Sequence, residues 1–278
     1  MSENLFRTLK EACSEADEKE FLSSPFDGSV SYADFFNLAG KYASALQSCG
    51  VEEGDRVLVK TEKSAGALAL YMGCLQLGAI YVPVNPASTA HEINFFVSDA
   101  EPALAVFDAN EQTSVGVRSE SIGPGGSLTS IMSSMVSKDS SSDRGGTDVA
   151  SMLYTSGTTG RPKGAMLSHR ALIANGVALN KIWGFEPDDV LLHCLPIFHV
   201  HGLFVAVHCA MLSGSKIIFL NKFSVTEVLE SLPKSTVLMG VPTYYSRLLS
   251  SEDFDSSVCS EMRLFTSGSA PMTEQTHA

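Results

Sequence analysis

The stretch Tyr154-Thr-Ser-Gly-Thr-Thr-Gly-Arg-Pro-Lys-Gly164 decides how the chain is read. An apolar run of strand length, Val149 to Tyr154, leads into it, and Ser168 to Trp183 beyond it has helical character. Small residues let backbone N–H groups close on an anion, three threonines and a serine add hydroxyl donors, and Lys163 adds a point charge. That is the equipment of a polyphosphate cradle. A Walker loop places four residues between its first glycine and Gly-Lys-Ser/Thr, whereas three separate Gly160 from Gly164 and Lys163 follows a proline, so kinase-type and GTPase-type readings weaken. A hairpin turn without a ligand would need far fewer small, hydroxyl and basic residues in a row.

Outward from this window the pattern alternates. Downstream come strand Val190 to Leu195, helix His201 to Leu212 and strand Lys216 to Leu220. Upstream lie an amphipathic opening on Leu5, Leu9, Cys13 and Ala16, a helical stretch from Tyr32 to Leu46, and strand Asp55 to Lys60. Such alternation predicts an α/β fold. Residues 111–148 change to Ser, Gly and Asp, with Gly123-Pro-Gly-Gly126 and Lys138-Asp-Ser-Ser-Ser-Asp143 as extremes, and only Ile131, Met132, Met135 and Val136 suit a core. This predicts a mobile surface connection with one short helix. The expected organisation is a first α/β half over 1–110, the connection over 111–148, and a phosphate-loop half over 149–278.

Composition narrows the function classes. With 278 residues, 44% hydrophobic and a mean hydropathy of +0.11, the chain can bury a substantial core, which excludes disorder and a disulfide-stapled miniprotein. Lys and Arg number 19 against 31 Asp and Glu, a net charge of -12, with no basic block, so nucleic-acid partners and a polybasic membrane patch are excluded. The six cysteines show no CxxC pair and are read as reduced core fillers. Ser64 to Val84 carries no charge and is long enough for a membrane span, but its glycines, Gln76 and Pro83 favour a helix followed by a buried strand. Leu195 to Leu220, with His199, His201 and His208, is read the same way. The acidic N-terminus resembles neither a secretory signal nor an Arg-rich transit peptide and points to the cytoplasm, with mitochondrial and peroxisomal destinations left open.

Two further windows carry chemistry. Leu195-Pro-Ile-Phe-His-Val-His-Gly-Leu203 brings two histidines, one residue apart, to a helix start. In an extended segment they point to opposite sides. No third ligand accompanies them, so a metal site is not expected. Met262-Arg-Leu-Phe-Thr-Ser-Gly-Ser-Ala-Pro-Met272 reads as a short strand running into a turn. A pocket for an alkyl acid has no use for the guanidinium of Arg263, whereas a dicarboxylic acid leaves one carboxylate that it could clamp bidentately. The other reading of Arg263 is an ion pair with Glu261 or a neighbouring acid.

The first window closely resembles the phosphate loop of the adenylate-forming superfamily, which contains acyl-CoA synthetases, luciferases and peptide-synthetase adenylation domains. The resemblance implies that Thr155, Ser156, Gly157, Thr158, Thr159, Gly160 and Lys163 hold the β- and γ-phosphates of ATP while a carboxylate attacks the α-phosphorus. It likewise implies that His199 lies between acyl site and nucleotide, taking part in catalysis with Lys163, and that Ser267, Gly268, Ser269 and Ala270 lie against adenine. Together with Phe219-Leu-Asn-Lys-Phe223 and Gly240-Val-Pro-Thr-Tyr-Tyr-Ser-Arg247, the windows are similar to the malonyl-CoA synthetases of that superfamily. This implies malonate as substrate, held by Arg263 with His199 or His201, and ATP, Mg2+ and CoA as co-substrates and cofactor. The fold implied is a layered αβαβα N-terminal domain.

The family pattern runs past the Ser-Gly-Ser-Ala-Pro turn into a Thr-Glu segment whose Glu binds magnesium, a ribose-binding Asp, and a mobile C-terminal domain with a catalytic lysine. None of these is found before Ala278. The chain is therefore expected to be an N-terminal part, incomplete at its C-terminal end, inactive as a ligase alone and prone to associate through open strand edges. Alternatives are a ligase for acetate or methylmalonate, a non-catalytic nucleotide-binding module, and a peptide-synthetase adenylation domain.

Overall fold

The computed structural model describes residues 2–25, 28–111, 115–155 and 162–277. In chain order its elements are α1 (Leu5–Ala12), β1 (Glu20–Ser24), β2 (Gly28–Ser31), α2 (Tyr32–Ser48), β3 (Arg56–Lys60), α3 (Ala65–Leu77), β4 (Ile80–Pro83), α4 (Ala90–Ala100), β5 (Leu104–Asp108), β6 (Ser119–Ile122) and α5 (Ser127–Ser133). There follow β7 (Val149–Thr155), β8 (Lys163–Ser168), α6 (His169–Trp183), β9 (Val190–His193), a π-helix (His201–Val207) leading into α7 (His208–Ser213), β10 (Lys216–Phe219), α8 (Val225–Ser231), β11 (Val237–Gly240), α9 (Pro242–Leu249), β12 (Leu264–Ser267) and α10 (Glu274–His277).

The chain divides into two compact units, Met1–Glu11 with Ala33–Ala174, and Ala12–Tyr32 with Asn175–Ala278. Each is built on one six-stranded sheet. The first sheet has the order β6-β5-β3-β4-β7-β8, parallel except for the antiparallel pair β7 and β8. The second has the order β12-β11-β9-β10-β1-β2, parallel except for β1 and β2. The expected α/β class stands, but the expected break before residue 149 does not coincide with these units. The phosphate-loop strands complete the first sheet, and β1, from the N-terminal stretch, pairs with β10 of the second, Leu22 against Ile217.

Local signals explain the elements. In α3 Ser64 caps the first turn by accepting from Ala67 N at 3.1 Å, and Gly78 ends the helix at φ 84°. All of α3 but Gly66 is buried, which accounts for its uncharged sequence without a lipid environment. Among the described residues no helix is long and apolar enough to cross a membrane. In α4 Thr89 and Glu92 form a capping box. Each unit has its own apolar cluster. Leu58, Val84, Ile93, Phe96, Ala105 and Phe107 pack in the first, with Tyr154 against them; Leu192, Cys194, Leu220, Val228, Leu238 and Leu248 pack in the second. All six cysteines are free and five are buried.

The connection expected to be mobile is held in place over its later part. The short helix foreseen there is α5. After it, Lys138 N donates to Gly40 O and Ser142 N to Gln76 O, while the Gln76 amide donates to the Lys138 and Ser140 carbonyls. Arg7 reaches Ser141 Oγ at 2.8 Å and Ser142 O at 2.9 Å. A composition rich in serine and glycine is loose only when its backbone groups lack partners, and here α1, α2 and α3 supply them.

Candidate functional site

In the first unit, β7 and β8 form a hairpin whose register runs from Val149 against Ser168 to Thr155 against Lys163. The expected order of strand, turn and helix therefore gains a strand before α6. Thr155 and Lys163 are both exposed and face each other at the mouth of the hairpin, where opposed Cβ atoms lie about 5 Å apart. A hydroxyl and an ammonium thus flank the connecting loop. Ser156, Gly157, Thr158, Thr159 and Gly160 lie outside the described residues. Strand β7 of the hairpin is tied to neighbouring elements. Ser151 Oγ donates to Tyr81 O at 2.6 Å, and the Tyr154 hydroxyl donates to Asp99 at 2.6 Å. Where the hairpin passes into α6, buried His169 accepts the Leu5 N–H on Nδ1 at 3.0 Å.

In the second unit, the remaining candidates gather at the carboxyl ends of β9, β11 and β12, the end of a parallel sheet where ligands bind. The loop after β9 returns into the π-helix, and Gly202 closes against Pro196 so tightly that a Cβ would strike the Pro196 carbonyl oxygen. Nothing in the apolar run His201 to Val207 announces π geometry, a form concentrated at functional sites; the close approach at Gly202 is the one feature the glycine itself could have signalled. His199 is exposed and lies against the Phe198 ring, centroids 5.1 Å apart. His201 is half-buried, its Nδ1 lies 3.3 Å from Ser269 Oγ, and burial lowers its pKa, favouring the neutral ring. The segment is a turn running into a helix rather than extended, and His201 is the histidine that meets the Ser267–Ala270 turn. Gly268 N donates to Gly240 O at 3.1 Å, which ties that turn to β11. Ser269 sits at φ 68°, a left-handed conformation costing a non-glycine residue roughly 1–3 kcal/mol.

Arg263 does not belong to this cluster. It precedes β12, whereas Ser267 ends it, so about 13 Å of strand separates them at roughly 3.3 Å per residue. Its Nε donates to Asp189 Oδ1 at 2.7 Å and Nη2 to Asp189 Oδ2, while Nη1 donates to Trp183 O and Nη2 to Gly184 O, both at 3.0 Å. Burial works to raise the Asp189 pKa, but hydrogen bonds from Arg263, Glu186 N and Thr236 outweigh it and the net shift is downward. Here the fork expected to hold a diacid is engaged by the carboxylate of Asp189. Four of the five guanidinium N–H groups are engaged by the Asp189 carboxylate and the two carbonyls. The acid in the competing ion-pair reading is Asp189 rather than Glu261.

Two clefts of the first unit, about 570 Å³ beside Lys138 and Ser140 to Ser142 and about 440 Å³ over Glu62, Asp108 and Gly123 to Gly125, are lined by none of the candidate residues. Among the described residues no three His, Cys, Asp or Glu side chains stand together to hold a metal ion.

Apo MatB from Rhodopseudomonas palustris superposes with a TM-score of 0.93 at 41% identity, covering 100% of this chain and 57% of that one. The mitochondrial malonate–CoA ligase ACSF3 of Mus musculus is 31% identical over 82% of this chain and 43% of its own length. The long-chain-fatty-acid–CoA ligase FadD13 of Mycobacterium tuberculosis is 29% identical over 91% of this chain and 52% of its own. The chain thus spans about half the length of the curated relatives it matches. The AMP-binding enzyme family matches residues 9–278, and the chain belongs to that family.

Proposed function

We propose that the chain is the nucleotide-binding part of an ATP-dependent acid:CoA ligase that activates malonate. The observation that carries this reading is the β7–β8 hairpin, with Thr155 and Lys163 opposed at the mouth of a Ser/Thr/Gly loop. Thr155, Ser156, Gly157, Thr158, Thr159, Gly160 and Lys163 hold the β- and γ-phosphates of ATP. A malonate oxygen attacks the α-phosphorus, the bond to pyrophosphate breaks, and malonyl-adenylate forms; the CoA thiolate then attacks the acyl carbon and AMP leaves as malonyl-CoA is made. Ser267, Gly268, Ser269 and Ala270 border adenine, and His199 and His201 serve the acid.

The protein's contribution is placement. Aligning carboxylate and α-phosphate can supply roughly 7–11 kcal/mol of the barrier, and Lys163 offsets charge on the departing pyrophosphate. Malonate is favoured because malonate–CoA ligases of mouse and Arabidopsis thaliana are among the relatives. Fatty-acid and coumarate ligases match at comparable identity, so a ligase for another acid is the second reading. The test is CoA thioester formation by the native protein, with malonate, acetate, methylmalonate and a long-chain fatty acid compared under the same ATP and magnesium. Malonate is expected to give the largest kcat/KM; a monoacid turned over equally well would transfer the assignment to that acid. The mitochondrial ACSF3 relatives make the mitochondrion the first compartment in which to look for the native protein.

A further inference from the structure

The end of β9 carries a histidine that no step above uses. His193 is 1% exposed, its ring centroid lies 5.3 Å from that of Phe219, and its Nε2 lies 2.9 Å from the carbonyl oxygen of Gly202. A carbonyl only accepts, so Nε2 carries the proton and donates it. Gly202 directly follows His201 and is already pressed against Pro196. The loop that leaves β9 is thus returned to the last residue of the same strand, at the carbonyl of the residue that follows His201. The His201 ring meets Ser269 Oγ at 3.3 Å, on a residue held at φ 68°. A π-helix begins at His201, a form concentrated at functional sites.

We propose that His193 is a positioning residue: through its Nε2–H bond to the Gly202 carbonyl it sets the first turn of the π-helix and holds the His201 imidazole against Ser269. A histidine that merely fills the core would leave His201 unaffected when replaced by a side chain of similar size. The consequence for the acid substrate rests on the ligase reading above; the positioning itself does not.

The test compares His193→Gln, whose amide nitrogen can take the place of Nε2, with His193→Met, which has similar bulk and no donor. In the 15N-labelled 278-residue chain, the His201 ring is followed by its nitrogen shifts and titration midpoint. Wild type and His193→Gln are expected to share a midpoint below the ordinary value near 6.5. In His193→Met it is expected to rise by about half a pH unit or more as the ring moves into water. An unchanged His201 in a folded His193→Met protein, or a failure of His193→Gln to keep the wild-type midpoint, overturns the proposal. Should His193→Met not fold, the wild-type chain decides: a scalar coupling across the hydrogen bond from His193 Nε2 to the Gly202 carbonyl carbon supports it, and a rapidly exchanging Nε2–H without that coupling contradicts it. In the native enzyme His193→Met is expected to raise KM for the acid about tenfold while KM for ATP stays within twofold. Absence of turnover by the wild-type enzyme would count against the ligase reading and leave the His201 result standing.

Discussion

Arg263 illustrates how a charged residue beside a functional motif can be architectural. Its partner Asp189 has a side chain 4% exposed, while Arg263 is 38% exposed. Removing one member of a fully buried pair costs roughly 3–5 kcal/mol; with the guanidinium partly in water, about 2–4 kcal/mol is the better expectation for Arg263→Met. Denaturant unfolding should show that loss, and Arg263→Met combined with Asp189→Asn should recover part of it, because no carboxylate is then left buried. The pH dependence has a definite sign. The Asp189 carboxyl titrates lower in the folded than in the unfolded chain, so its stabilisation is present above the ordinary pKa near 3.9 and disappears as pH falls through the folded value. An Arg263→Met protein as stable as wild type would return the arginine to the list of free cations. The partner was hidden from sequence reading because Asp189 lies far away along the chain and approaches only when β9 and β12 flank β11.

Elements differ in how plainly their residues announce them. The uncharged run Ser64 to Val84 resolves into α3 and β4, and β3, β7, β9 and β10 follow apolar segments as expected. In contrast β8 is concealed. Its burial alternates poorly, with Lys163, Ala165 and Met166 exposed, so Lys-Gly-Ala-Met-Leu-Ser reads as loop and only pairing with β7 makes it a strand. The tether between α1 and the start of α6 was equally invisible, since it depends on a ring nitrogen meeting a backbone amide. Burial, with Arg144 nearby, lowers the His169 pKa to about 4 against a partial opposing effect of Asp148, and neutral Nδ1 accepts the Leu5 N–H. The folded value lies below the ordinary 6.5, so the contribution of His169 is complete above that pH and is lost as pH falls toward 4. His169→Phe is expected to lose about 1–3 kcal/mol at pH 7, the cost of an orphaned buried amide, and to lose less further stability than wild type between pH 7 and 5. Parallel denaturation series at those two pH values measure this; identical pH slopes would show that His169 is not the group responsible.

For the whole molecule, the family and the α/β class were legible because the three motif windows lie at strand ends, where local composition reflects local chemistry. The division into units was not, because β1 and β10 pair Leu22 with Ile217, far apart along the chain, a contact with no local signature. The edge strand β12 has Phe265 40% exposed and, among the described residues, pairs only with β11. Such an edge invites pairing with another chain. Phe265→Lys is expected to suppress concentration-dependent association in sedimentation velocity, and unchanged association would locate the contact elsewhere. The central claim is that the β7–β8 hairpin of this chain holds the polyphosphate of ATP. Its most direct test is calorimetric titration of ATP into the 278-residue chain and into Lys163→Ala. The account predicts saturable binding to the first and at least about tenfold weaker binding to the second, as loss of a charge-assisted contact worth roughly 1.5 kcal/mol or more requires. Equal affinity for the two proteins, or no binding to either, would contradict it.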